Sequence, residues 1–274
     1  MSLARAGTAV AVALGLSSAA TAAGLEPHRA AYSLSLGQAH QASALVEVTG
    51  GLVMEWRREC DGWISQQRLG FVATGSALEE FGEEMAPDGG FVSSHDVRFS
   101  SWEALDGSRM RYAVRSYDGS LVSEEYRGEA WIKSDDGGAA SFSVPRDREI
   151  RLPGETVFPT DHLERVLASA AAGERLVSHT VFDGWGFDAL TQITTVIGAP
   201  VEIEVGSDGA TASMPAWPMS MAYYNIERGE EEPSFEATFK MTADGVLHDL
   251  QLDYGDFRLD GTLEVLERFQ PPEC

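Results

Sequence analysis

Positive charge is scarce in this chain: 20 Lys and Arg stand against 43 Asp and Glu over 274 residues, a formal net charge of −23. A surface of that sign repels nucleic acid and anionic lipid headgroups, so neither is an expected partner. Long hydrophobic runs are also missing. The most apolar stretch, Ala6 to Leu16, is broken by Gly7, Thr8 and Gly15 and falls short of the roughly 20 residues that a membrane-spanning helix needs. The chain has no C-x-x-C pair, no G-x-S-x-G elbow, no H-E-x-x-H pair, no Walker loop and no G-x-G-x-x-G. Redox, hydrolase, zinc-protease and nucleotide chemistries therefore lack their usual signatures. No Pro/Ser-rich linker and no repeat period divide the chain.

What the N-terminus does contain is an export signal. Arg5 supplies a positive start, Ala6 to Leu16 the short apolar segment, and Ala20-Thr21-Ala22 a small-residue cleavage site. The expected organisation is a signal peptide over residues 1–22 and one periplasmic domain over 23–274, starting at Ala23. No Cys follows the cleavage site to accept a lipid, so the exported protein is expected to be soluble and not membrane-anchored. Losing Arg5 with the leader brings the formal charge to about −24.

Export gives the two cysteines a meaning. An even count in an oxidising compartment reads as one disulfide, here Cys60 with Cys274; two unrelated free thiols are the alternative. Such a bond would staple the last residue of the chain, where fraying normally concentrates, to its body.

Hydrophobic residues make up 43% of the chain, enough for a sizeable core. Their spacing is mostly that of strands. Ala30, Tyr32, Leu34 and Leu36 alternate onto one face. Further strands are expected over 44–48, 52–57 (after a Gly50-Gly51 turn), 63–74, 91–102, 109–116, 121–133 and 140–144. After a helix they resume at 176–182, 189–197, 219–226, 235–241, 246–252 and 257–269. Asp106-Gly107 and Asp118-Gly119 suit type I′ hairpin turns. The helix is expected over Asp161 to Ala172, where Leu163, Val166, Leu167, Ala170 and Ala171 form one apolar stripe. Asp161 and Glu164 would cap its start and Gly173 its end. About a dozen antiparallel strands and one helix describe an all-β barrel or sandwich whose helix plugs or covers the core.

Candidate chemistry is sparse. The histidines His28, His40, His95, His162, His179 and His248 stand singly, without metal-ligand spacing. His162 beside Asp161 reads as a surface ring next to a helix cap. Asp183 to Asp188 is rich in Asp and Gly like a calcium loop, but lacks the spacing and terminal Glu, so a tight turn around Trp185 is expected. Glu79-Glu80, Glu83-Glu84 and Glu230-Glu231-Glu232 read as solvated loops rather than a glycosidase pair. Met214 to Met221, with Trp217 between prolines, would pack the core or line an apolar site. No catalytic, metal or cofactor-binding residues are assigned, no cofactor is expected, and assays on sugars, peptides and esters should be blank.

Three stretches together resemble a known family: Pro27-His28-Arg29-Ala30-Ala31-Tyr32-Ser33-Leu34, the Cys60-Asp61-Gly62-Trp63 turn, and Leu152-Pro153-Gly154-Glu155-Thr156-Val157-Phe158-Pro159-Thr160-Asp161-His162. With Val181-Phe182-Asp183-Gly184 after the helix, they are similar to the cell-envelope integrity protein B (EipB) family, exported proteins of alphaproteobacteria formerly described as a domain of unknown function. The resemblance implies a many-stranded antiparallel β-spiral, an incompletely closed barrel around a helix, similar in shape to the Lol lipoprotein carriers. It also implies the Cys60–Cys274 disulfide. Two functions follow as expectations: support of cell-envelope integrity and stress resistance through contacts with periplasmic or envelope proteins, or carriage of a lipid tail or apolar peptide inside the spiral.

Overall fold

The structure, a computed structural model, describes residues 23–39, 44–76, 90–133, 136–207, 210–229 and 231–274. The expected leader over 1–22, His40, Glu79-Glu80, Glu83-Glu84 and Glu230 lie outside the described residues.

Alternation dominates the chain and strands dominate the structure. The first eight are β1 (His28–Ala39), β2 (Leu45–Arg58), β3 (Gly62–Ser76), β4 (Gly90–Ala104), β5 (Arg109–Asp118), β6 (Leu121–Ile132), β7 (Gly138–Val144) and β8 (Arg148–Leu152). Helix α1 (Pro159–Ala172) follows, then β9 (Leu176–Phe182), β10 (Leu190–Ile197), β11 (Val201–Ser207), β12 (Ala210–Asn225), β13 (Phe235–Thr242), β14 (Leu247–Asp253) and β15 (Phe257–Arg268). Fourteen strands hydrogen-bond in one path, β8-β7-β6-β5-β4-β3-β2-β1-β15-β14-β13-β12-β10-β9, and β11 pairs with β12 off that path. The named strand pairs are antiparallel. The curled sheet nearly closes on itself. Val157, just after β8, makes a single parallel bridge to Val181 of β9, donating to the Thr180 carbonyl at 2.9 Å and accepting from the Phe182 N–H at 3.0 Å. The incompletely closed barrel with one helix is therefore the observed fold.

Two expected strands, 44–48 and 52–57, are one. β2 runs straight through Gly50-Gly51, because these glycines serve close approach rather than a turn. A Cβ on Gly50 would lie 2.3 Å from the Gly70 carbonyl oxygen of β3. The Asp-Gly hairpins also differ from expectation. Type I′ needs positive φ at both central residues, yet only Gly107 (66°) and Gly119 (58°) have it. Gly107 N–H bonds the Ala104 carbonyl, and Asp106 accepts from the Ser108 N–H, so the turn is made by the aspartate side chain and a left-handed glycine. Strands β8 and β11 were not among the expected ones, although β11 alternates in Val201-Glu202-Ile203-Glu204-Val205.

Helix α1 lies across one mouth of the barrel. Its Glu164 accepts from Trp63 Nε1 at the start of β3 (3.2 Å), its Thr160 meets Glu103 at the end of β4, and its Leu167 packs beside Gly245 of the β13–β14 turn. Val166, Leu167 and Ala170 join Tyr32, Trp56, Trp63, Trp217, Met219 and Met221 in the larger core cluster. A second, smaller core fills the seam between β5–β8 and β9–β10. There the rings of Tyr112, Phe142, Phe182, Tyr126 and Phe187 meet edge to face.

Candidate functional site

At the capped mouth, Pro159 occupies the first turn and moves the helix start ahead of Asp161. The N-cap is then Phe158, which has no side-chain oxygen, so the Asp161–Glu164 capping expected from sequence does not form. Glu103 on β4 supplies the missing acceptor: its carboxylate takes the Thr160 N–H at 2.9 Å, the Thr160 hydroxyl at 2.8 Å and the Ser101 hydroxyl at 3.1 Å. Burial pushes the Glu103 carboxyl up to about 7, and these hydrogen bonds only partly oppose it. Asp161 pairs instead with Arg165, one turn on. Gly173 ends the helix in the left-handed conformation, as expected.

His162 is not the surface ring that its sequence position implied. It is 3% exposed, and its Nδ1 lies 2.9 Å from Nδ1 of His179 on β9. The apolar stripe carries it inward. Burial first, then His179 and Arg165, lower it to about 3, so it is neutral at physiological pH. Seventeen residues separate the two histidines, which hid the pair from any motif search. His28, His95 and His248 stay apart from them: His28 bonds the Glu26 carbonyl, and His95 meets Ser93 and Asp118. Among the described residues, no group of three His, Cys, Asp or Glu is arranged to hold a metal ion.

The turn around Trp185 is as expected. The Trp185 N–H bonds Asp183, and Gly184 and Gly186 take positive φ. A Cβ on Gly184 would strike the Tyr112 ring at 2.4 Å. Of the Met214–Met221 segment, Trp217, Met219 and Met221 are buried in the larger core. Pro218 fits within β12 because its carbonyl accepts the Gly198 N–H while the ring nitrogen has no proton to place. Cys60, in the β2–β3 turn, is joined to Cys274, with Cα atoms 5.7 Å apart. The tail that reaches it crosses the outer face of β1 and β2, where Phe269 lies under the guanidiniums of Arg57 (4.0 Å) and Arg29 (5.9 Å).

Beside that tail lies the feature that sequence reading missed. On β5, Met110, Tyr112 and Val114 are buried inward, so Ala113, Arg115 and Tyr117 alternate onto the outer face. With outward residues of β1–β4 and β6 they border a recess of about 770 Å³. Two carboxylates of its lining, Glu55 and Glu125, and Asp96 beside it are each bridged by two arginines. Glu55 takes Arg29 Nε at 2.6 Å and Arg57 Nε at 2.5 Å. Asp96 takes Arg68 Nε at 3.0 Å and Arg98 Nε at 2.9 Å. Glu125 takes Arg115, and Arg127 at 3.3 Å.

The pattern repeats: acid-x-Arg along β2, β4 and β6, and a single Arg reaching across from β1, β3 and β5. Six guanidiniums against three carboxylates leave a formal surplus of +3 on a chain of net charge −23. Arg98 hydrogen bonding, helped by Arg68, pulls the Asp96 carboxyl below its usual range; Arg115 does the same for Glu125. At Glu55 burial acts upward, but the two arginines outweigh it. The available signal was Glu55-Trp56-Arg57, Asp96-Val97-Arg98 and Glu125-Tyr126-Arg127, two charges flanking an inward side chain in three alternate strands.

This architecture has known relatives. Residues 19–270 match the family model of EipB-like proteins. Over 260 residues the chain is 30% identical to the cell envelope integrity protein EipB of Brucella abortus, covering 92% of this chain and 88% of the relative. A crystal structure of a beta-barrel-like protein of domain of unknown function DUF1849, also from Brucella abortus, superposes with a TM-score of 0.75 at 27% identity, over 90% of this chain and 99% of that one. With a match that spans nearly its whole length and a barrel of the same kind, this chain belongs to the EipB-like family.

Proposed function

We propose that this chain is an exported periplasmic protein that supports cell-envelope integrity by contact with other envelope components, without turnover. The name of its Brucella relative carries the envelope role. A disulfide and a sequence with the n-region, apolar segment and cleavage site of a secretory leader support the compartment. No described helix is long and apolar enough to cross a membrane.

One observation favours contact over carriage of an apolar ligand. The inward space that a lipid tail would need is taken by the protein's own side chains, with Trp56, Trp63, Leu167, Trp217 and Met221 each 9% exposed or less. The recess of about 770 Å³, by contrast, lies against the outward arginines and carboxylates of β1–β6. Native mass spectrometry of protein released from the periplasm tests the reading. The expected mass is that of the oxidised polypeptide beginning at Ala23, and in-cell cross-linking should join it to envelope components. A co-purifying lipid or apolar peptide, released only on unfolding, would replace contact by carriage.

A further inference from the structure

The outward recess has a chemistry more specific than general contact. Arg68, Arg98 and Arg115 are directly opposite one another across β3, β4 and β5. Like charges in register destabilise a sheet, and adjacent strands lie only about 4.8 Å apart, so three arginines in a row are a cost the fold alone does not explain. Asp96 and Glu125 offset part of it and hold the guanidiniums in place, Arg98 further stacking on Tyr117 at 4.7 Å. Held this way, the arginines are organised to receive an oxyanion with little loss of side-chain freedom. A concave site also focuses its field, which lets a local surplus of +3 persist within an acidic protein.

The remaining lining narrows the ligand. Gln66, Ser100 and the carboxylates of Glu55 and Glu125 border the same recess from the outward face. These groups accept and donate hydrogen bonds to hydroxyls, which line a sugar chain and are absent from an acidic peptide of Asp and Glu. A peptide site also needs apolar pockets for side-chain anchors; the outward apolar lining is Val53, Ala113 and the Tyr117 ring, which Arg98 already covers, while Phe99 and Val114 are paired on the inward face. A membrane surface is excluded by shape, because a flat bilayer does not enter a recess. We infer that the arginine recess on the outer face of β1–β6 binds an anionic oligosaccharide, arginines taking its phosphate or carboxylate groups and the Gln, Ser and Glu side chains its hydroxyls. This rests on the contact reading and names the chemistry of one contact.

Calorimetric titration of the oxidised protein at about 0.15 M salt, where distant charges are screened beyond roughly 8 Å, tests it directly. The probes are oligogalacturonate, a phosphorylated oligomannose, a neutral maltooligosaccharide and poly-glutamate. At least one anionic sugar should bind, the neutral sugar should not, and the tighter of the two anionic sugars identifies carboxylate or phosphate as the recognised group. Arg115→Gln should weaken binding roughly tenfold, the size of a charge-assisted pair. The double variant D96N/R98Q removes the Asp96–Arg98 pair, keeps an amide oxygen at position 96 for Arg68, and should do the same with a melting temperature close to the parent's. Arg148→Ala, on the neighbouring Phe187 ring outside the recess, should bind as the parent does. Tighter binding of poly-glutamate than of either sugar, equal binding of the neutral sugar, no binding of either anionic sugar, or indifference to the recess variants would each overturn the inference. Failure here leaves the in-cell cross-linking result, and with it the contact reading, untouched.

Discussion

The capped mouth and the arginine recess use the same acid in opposite ways. Glu103, under helix α1, is enclosed by hydroxyls and a backbone N–H and is pushed up to about 7 by burial. Glu55, Asp96 and Glu125, on the outer face, are each held between two guanidiniums and lie below the usual carboxylate range. One arrangement spends a polar group on completing a helix end inside the molecule. The other keeps charged groups rigid, wet and in surplus. A buried group whose donors all come from its own fold is structural; a charged row that repels itself and faces outward is organised for something else. The difference separates what holds the barrel together from what the barrel presents.

The comparison breaks most severely at the staple. Cys60→Ser or Cys274→Ser should destabilise the protein by up to about 5 kcal/mol, the chain-entropy value for a loop this long. Either variant should also free the tail to proteolysis, and the double variant should melt no lower than either single one. Thermal denaturation and limited digestion, with and without reductant, give the answer.

Next in size is the acid sensitivity of the mouth. His162 is lowered from 6.5 to about 3, so its neutral form is favoured in the fold. Its contribution is fully present above pH 6.5 and is lost as pH falls toward 3, on the order of 5 kcal/mol in all. Chemical denaturation followed across pH 7 to 4 should show that loss, and His162→Gln should flatten it. Glu103 acts with the other sign. Its folded value of about 7 exceeds the free 4.5, so the fold binds the proton more tightly and stability falls as pH rises from 4.5 through 7, by about 3 kcal/mol. Glu103→Gln keeps an acceptor for the Thr160 N–H and should remove that slope. A slope unchanged in E103Q would mean the carboxyl is not the titrating group.

The smallest effect concerns the tail's passage beside the recess. Phe269→Ala removes the ring beneath Arg57 and Arg29 and should cost about 1 kcal/mol while leaving the disulfide closed. Peptide mapping under non-reducing conditions, beside a melting curve, separates the two.

Much of the barrel was legible because a strand's period of two writes itself into the sequence. Leu176–Phe182 is read to the residue, and Gly173 marks the helix end as its conformation requires. Gly50-Gly51 misled because glycine marks both turns and close approach, and only the neighbouring strand distinguishes them. His162 misled, and Glu103 drew no reading, for a related reason: their partners, His179 and Thr160, come from distant segments, and burial is a property of the assembled barrel. The acid-x-Arg repeats were visible in the chain, but their meaning depends on the register that sets Arg68, Arg98 and Arg115 side by side. The cysteine pair needed no geometry, only the compartment and the count.

The claim that the outer recess, rather than the barrel interior, carries the function is tested most directly by complementation. Cells lacking this protein would receive either the parent or D96N/R98Q combined with Arg115→Gln, with export, oxidation and melting temperature verified for both, and their survival in detergent would be measured. The account predicts that the parent restores detergent resistance and the recess variant does not, at equal periplasmic level. Full restoration by the recess variant would contradict it.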